Sequence, residues 1–510
     1  MRRVALILAL AGVACTSVPT APPGALVVGI ANSPTNLDPA IGLDEVSQKL
    51  HQVLYSSLVG IDESLRVVPD LATRFETADS RTWVAAIPPG VRFHDGREMT
   101  ATDVAYTFQR FLDPALVSGR KGAYRDLESI EILDPYTVAF HLRAPSASFP
   151  INLVMGIVPA GSGAELSRRP IGSGPYRVVE FLPDDRVTVA AFEGYYRGAP
   201  ANTGLVFKVV PDDTMRGLEL RKGSLDLVVN DLGPDLVHGL ERLDGLQVVR
   251  SPGTDFAYLG FNMRHPVLAD RRVRQAIGHG IDTGAIISHL RRGLANPSTG
   301  IVPAISWAAA PDVTPHAFDP GRARALLDEA GLVDPDGAGP QPRLTLTLKT
   351  STAEAYRLQA TVIQHQLADI GIAIEVRSYE FATLFADVVR GNVELYTLQF
   401  VGVTDPDMLR RVLHSTQIPP AGLNRGHYRS AEVDRLLDAA AEALDSDTRR
   451  QYYQDVQRLV AIDVPFVSLW TRTNVVVAQA DLTGLALSPT ADFGFLRHVT
   501  RATRTPGPAR

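Results

Sequence analysis

The chain of 510 residues predicts an α/β fold. Short apolar runs of strand character alternate with amphipathic helical patterns along most of its length, the arrangement in which strands pair through helical crossovers. Loops rich in glycine and proline near 88–96, 170–176, 293–315 and 333–342 separate these units. No stretch repeats with the period of a solenoid. Apolar residues at 45% and charged residues at 21% are ordinary for a globular chain, and the length allows two or three domains with substantial cores. A net charge of −6 gives no electrostatic reason to expect nucleic acid. No zinc-finger, Walker, kinase or HExxH spacing occurs, so neither metal nor cofactor is expected.

In chain order, "MRRVALILALAGVAC" places two arginines before a short apolar run and small residues ending at Cys15. This is a secretory signal over 1–15, too short for a conventional spanning helix. Cys15 is the only cysteine, which excludes disulfides within the chain. Its place after "GVA" resembles a bacterial lipoprotein signal, in which the cysteine is lipidated, although Gly12 stands where such signals usually carry leucine. Residues 16–24 read as a flexible tether. No later segment reaches the roughly 18 apolar residues of a spanning helix. The body is therefore expected to be soluble and exported, held at the membrane through the lipid if Cys15 is modified.

Strand character follows at 25–31, 186–192, 204–210 and 343–350, and helical periodicity at 101–112, 214–221, 270–280, 318–331, 355–370, 380–390, 431–444 and 447–462. The densest polar stretch, "RFHDGREMTATDVAYTFQRFLD" (92–113), contains His94, Asp95, Glu98, Thr100 and Asp103. Local rules explain it without catalysis. "HDG" is a turn in which Gly96 supplies a positive φ, and Thr100 with Asp103 three residues on forms a capping box at the start of a helix. A His–Asp pair adjacent in sequence is weak support for an active site, because triads assemble in space. In "GSGPY" (172–176) the glycines relieve strain before Pro175, and Tyr176 packs inward. The run "ELYTLQFVGVTDPDMLRRVLHS" (394–415) begins as a strand and ends as a helix, with Asp405 at the N-cap, Pro406 at the first helical position and Asp407 in the first turn.

Six stretches in order, from Trp83 to Ser415, resemble the extracytoplasmic solute-binding proteins of ABC importers, in the large dipeptide, oligopeptide and nickel family. They are "GVRFHDGREMTATDVAYTF" with Trp83 upstream, "RPIGSGPYRVVEF" (169–181), "RKGSLDLVVND" (221–231), "YLGFNMRHPVLADRRVRQAIGHGID" (258–282), "FDPGRARALLDEAG" (318–331) and the segment 394–415. The resemblance implies a two-lobed periplasmic-binding-protein-like fold that closes about a hinge, with an extra inserted domain. One lobe comprises 25–50, 165–258 and 480–500, the inserted domain 51–164, the other lobe 262–478, and 501–510 is a tail. Connecting segments near 258–262 and 476–480 are expected to form the hinge.

The resemblance also implies where a ligand is held. In the family, the strand edge within 394–415 lines the cleft and pairs with an extended peptide, which points to Gln399 and Phe400. Peptide binders place an acidic residue four positions before the proline; here that position is Gly402, and the usual tryptophan is Gln399. Asp405 and Asp407 are candidate substitutes. Asn424, Arg425 and Tyr428 lie in a loop before a helix, where Arg425 could offer its planar fork to a carboxylate. Asn32 and Ser33 follow the first strand, at the edge where open α/β sheets bind ligands.

The expected function is capture of a peptide or other small solute by a monomer that delivers it to ABC permease subunits in the inner membrane, without catalysis. Two other readings stand beside it: an exported hydrolase using His94 with Asp95, and a solute sensor that does not transport. Against the hydrolase, the chain has no GxSxG elbow and no metal-ligand spacing.

Overall fold

The computed structural model describes residues 22–337 and 339–502. The expected signal segment, Cys15, most of the tether and most of the tail lie outside them.

Two long strands, Leu246–Phe261 and Phe466–Gln479, pair antiparallel through the middle of the molecule. To one side the sheet continues through Leu227–Val229, Leu26–Ile30, Gly204–Val209, Arg186–Ala191 and Tyr176–Leu182. To the other it continues through Leu395–Phe400, Leu344–Ser351 and Ile372–Tyr379. Leu26–Ile30 pairs in parallel with strands on both sides and is buried, so its sequence is a continuous apolar run instead of an alternating one.

The two sides have separate cores. Leu26, Val28, Leu205, Phe207, Val476 and Phe493 pack in the first; Leu259, Phe261, Leu348, Ile363, Leu395 and Leu469 pack in the second. The long strands change sides where their register shifts, between Pro252 and Phe256 opposite Thr473 and Thr471. The crossing thus lies outside the segments 258–262 and 476–480 expected to form the hinge. Leu259 and Phe261 already sit in the second core, and Val476 and Ala478 are still in the first. The physical reason lies at Gly253, where a Cβ would press within 2.7 Å of the Arg472 carbonyl, so the ladder breaks there.

A third core, drawn mainly from Leu58 to Ile157, surrounds a four-stranded antiparallel sheet ordered Arg74–Thr77, Thr82–Ala86, Thr137–Leu142, Leu127–Asp134. The helix Ala101–Gln109 packs on it. Asp103 reaches back to the Thr100 N–H (2.9 Å) and also accepts from the Ala160 N–H (2.8 Å), so the capping carboxylate ties two segments together. The Thr100 hydroxyl donates to that same carboxylate at 3.2 Å. "VRF" forms no strand, only a bridge between Arg92 and Glu98.

The glycines of "GSGPY" serve a different purpose from the expected one. Neither has a positive φ; a Cβ on Gly172 or Gly174 would collide with the Leu54 carbonyl group, so the two chains can approach only with glycine there. Tyr176 is fully buried and its hydroxyl donates to Asn202 Oδ1 at 2.9 Å. The helices otherwise form where periodicity places them, for example Asp213–Lys222, Arg271–His279, Glu354–Ala368 and Ser446–Asp463.

Candidate ligand-binding cleft

On the first side, the chain leaves the strand Leu26–Ile30 at the end where parallel sheets expose their loops. The Ala31 N–H donates to Asp231 (3.2 Å), and Ser33 Oγ accepts from the Asp184 N–H (3.2 Å), fixing the segment that carries Asn32. Asp44 caps the helix Glu45–Leu54 by accepting from the Ser47 N–H at 2.9 Å. Asn32, Ser33, Glu45, Lys49, Asp184 and Asp231 line a cavity of about 400 Å³. Burial pushes the Glu45 carboxyl up, but Lys49 at 2.6 Å outweighs it and, with Arg472, holds the group below its ordinary value.

On the second side, alternation in Leu395–Phe400 sorts the candidates. Phe400 turns into the core, its ring 5.0 Å from that of Tyr258, whereas Gln399 points the other way. Gly402 has φ +65°, and no atom lies within 4 Å of the place where its Cβ would stand.

An acid nevertheless stands beside Gly402. Asp255, supplied by the long strand where it changes sides, accepts from the Gly402 N–H (2.9 Å) and from the Gln399 amide (3.1 Å). Arg472 lies 3.4 Å from the same carboxylate and donates to the Asn230 carbonyl at 2.6 Å. The Tyr356 hydroxyl completes the group by donating to Gln399 Oε1 at 3.3 Å. Asp255 and Arg472 are absent from the sequence-based set. The signal for Asp255 is an acid two residues after a Pro-Gly interruption in a largely apolar strand, "SPGTDFAYLGF" (251–261).

The other candidates stand behind this surface. Arg425 is buried; its guanidinium lies 5.0 Å from the Phe385 ring and 5.1 Å from that of Phe400, and it donates to the Tyr258 hydroxyl at 3.1 Å. The expected solvent-facing fork is not there, because the aromatic cluster draws the flat cation inward. Asn424 is 1% exposed and its amide nitrogen bonds the carbonyls of Leu413, His414 and Tyr428. Tyr428 is buried and donates to Asp463 at 2.6 Å.

The helix after the strand begins later than expected, at Met408, with Asp407 as its N-cap. Asp405 caps the preceding turn instead, accepting from the Asp407 N–H at 2.7 Å. Asp405 also accepts from the Ser148 hydroxyl of the inserted domain at 3.1 Å, and Arg449 bonds that same hydroxyl. Burial and then the Asp405 charge push the Asp407 carboxyl up to about 7, while Tyr453 donates to it at 3.2 Å.

His94 is engaged on both nitrogens: Nδ1 accepts from the Gly172 N–H (3.2 Å) and Nε2 lies 3.1 Å from the Gly174 carbonyl. Burial lowers its pKa to about 4. Asp95 accepts from the Arg97 N–H of its own turn. His94 thus ties its turn to the segment that carries Gly172 and Gly174, while Asp95 bonds only within the turn. Among the described residues, no cluster of three His, Cys, Asp or Glu side chains is placed to hold a metal ion, and no helix is long and apolar enough to cross a membrane.

Known proteins match this arrangement along most of the chain. The model of the bacterial extracellular solute-binding proteins, family 5 (middle), matches residues 66–418. The oligopeptide-binding protein AppA of Bacillus subtilis is 28% identical over 493 residues, covering 92% of this chain and 90% of AppA. The glutathione-binding protein GsiB of Pectobacterium atrosepticum is 29% identical, covering 92% of this chain and 93% of GsiB. The structure of B. subtilis AppA in complex with a nonapeptide superposes with a TM-score of 0.76 at 27% identity, covering 94% of this chain and 99% of that one. Helicobacter pylori DppA in complex with the peptide STSA gives 0.77 at 25% identity, covering 94% and 98%. A two-sided sheet and a family match over residues 66–418 identify the chain as a member of the bacterial extracellular solute-binding proteins of family 5, the capture components of ABC importers.

Proposed function

We propose that this protein captures a peptide or peptide-like solute between its two sides and hands it to an ABC permease. The observation that carries the reading is the Asp255 carboxylate beside Gly402, with the Gln399 amide in the same group. A peptide's ammonium would meet Asp255, and its backbone would run along the edge at Gln399–Gly402 as an added strand. Asn32 and Ser33 would face it from the other wall. Phe400, Arg425, Asn424 and Tyr428 would support the wall at Gln399–Gly402 from behind, and Asp405 and Asp407 would brace the turn at its end. Similarity to proteins described as binding an oligopeptide, glutathione and the peptide STSA supports this substrate class.

Calorimetry with short peptides, free and N-acetylated, tests the assignment. Free-amine peptides should bind, N-acetyl peptides should bind at least about tenfold more weakly, and Asp255→Asn should abolish the difference. Equal binding of both forms by the native protein removes Asp255 as the ammonium anchor. A non-peptide solute found by native mass spectrometry of the exported protein, with no peptide bound, overturns the substrate class. The same reading includes lipidation of Cys15 after export; Cys15→Ser should then release the protein from the membrane fraction.

A further inference from the structure

A second cavity, of about 200 Å³, lies where the long strands change sides. Val228, Val237 and Val475 give it apolar walls, and Asn230, Arg291 and Arg472 bring polar atoms to it. Arg472 is compensated by Asp255 at 3.4 Å. Arg291 is not. Its guanidinium lies 4.4 Å from the Trp470 ring centroid, and Trp470 is itself fixed by donation to Gln359 Oε1 at 2.9 Å. Arg291 Nε is shielded from solvent and has no hydrogen-bond partner. Burial, then the neighbouring Arg472, lowers its pKa; Tyr356 opposes this shift, and no carboxylate among the described residues contributes to it.

Arg472 meets Asp255 and the charge of Glu45, but among the described residues no carboxylate meets the Arg291 guanidinium in this partly desolvated pocket, a costly arrangement unless a ligand supplies the anion. Stacking on Trp470 fixes the plane of Arg291 but leaves its edge available for a planar oxyanion. We propose that this pocket is an anion subsite of the cleft, which takes a carboxylate on a short aliphatic stem, with Arg291 as the fork and the valines around the stem. The subsite rests on the capture reading above and extends it to ligands with a carboxylate arm. Arg291 stacks on Trp470 of the second side, while Val228 and Asn230 come from the first, so a bound carboxylate sits where the two sides meet.

The test uses the full mature chain with its three tryptophans replaced by 5-fluorotryptophan, the Trp470 signal being assigned through Trp470→Phe. Glutarate should shift that fluorine resonance saturably, and its uncharged diamide should not. Arg291→Met should weaken glutarate binding by about tenfold or more, with Arg291→Lys in between. No shift with glutarate, an equal shift with the diamide, or unchanged affinity in Arg291→Met overturns the subsite. The glutarate and diamide comparison on the native chain needs no variant to fold. Peptide calorimetry separates the two readings. Glutarate binding that depends on Arg291, without any peptide binding, leaves the subsite standing and removes the peptide. Peptide binding with glutarate silent does the reverse.

Discussion

The Gly402 N–H donates to the Asp255 carboxylate across 2.9 Å, so the acid missing at position 402 arrives from a different strand. Gly402 itself is held at φ +65°, a left-handed conformation that costs a side-chain residue roughly 1–2 kcal/mol. Gly402→Ala should therefore lower stability to denaturant by about 1 kcal/mol. Peptide affinity in the folded fraction should stay within about twofold, because the Cβ would enter open space. Urea unfolding and calorimetry on the same preparation check both parts.

Arg425 gives the sharpest contrast between a ligand contact and a core support. Stacked between Phe385 and Phe400, it fills volume in the second side of the molecule. Arg425→Ala should cost roughly 2–4 kcal/mol of stability, as other large-to-small core changes do, while the dissociation constant of the folded protein changes little. A large loss of affinity at unchanged stability would place the guanidinium in the cleft after all.

The capping box makes a quantitative claim about two neighbours. Removing the Thr100 hydroxyl should cost about 1 kcal/mol. Asp103→Ala should cost more, roughly 2–3 kcal/mol, because its buried carboxylate satisfies the N–H groups of both Thr100 and Ala160. Equal losses in the two variants would mean that the tie to Ala160 contributes nothing.

These cases show what was legible in the sequence. Helix 101–109, its box and the first strand follow from short-range rules, capping geometry and apolar periodicity, and the family resemblance supplied the two-sided plan. The position of the crossing did not follow, because it depends on a register shift between strands more than 200 residues apart. Asp255 and Arg472 were missed for the same reason: each belongs to a long strand, and only pairing brings them to Gln399 and Gly402. Arg425 was misplaced because a glycine-flanked loop reads as exposed, whereas Phe385, Phe400 and Tyr258 converge on it only in space.

His94 sets one pH dependence. Burial lowers its pKa from the ordinary 6.5 to about 4, so between these values the folded state binds fewer protons than the unfolded chain. Stability from this group is complete above pH 6.5, falls as pH drops through the window, and is lost near pH 4. His51, also lowered by burial to about 4, acts in the same direction. His94→Gln should flatten the loss of denaturant midpoint between about pH 6.5 and 4, by on the order of 2 kcal/mol.

Asp407 works against the histidines. Its carboxyl is raised from 3.8 to about 7 by burial and then by the Asp405 charge, with Arg449, Arg410 and the Tyr453 hydroxyl opposing. Between these values the folded state holds a proton that the unfolded chain has released, so this group's stabilising contribution is present at low pH and declines as pH rises to about 7. Asparagine at 407 can still accept from Tyr453 and cannot ionise. Asp407→Asn should therefore gain on the native protein as pH rises from about 4 to 8, by about 2 kcal/mol once its partly exposed side is allowed for. Asp405 should behave differently, since its carboxylate meets Ser148 and Arg449 at the contact between the inserted domain and the second side. Asp405→Ala should loosen that contact and increase the radius of gyration in solution scattering, whereas Asp407→Asn should leave it unchanged. A parallel pH profile for Asp407→Asn and the native protein would show that Asp407 is ionised throughout, and that its neighbours solvate the charge they surround.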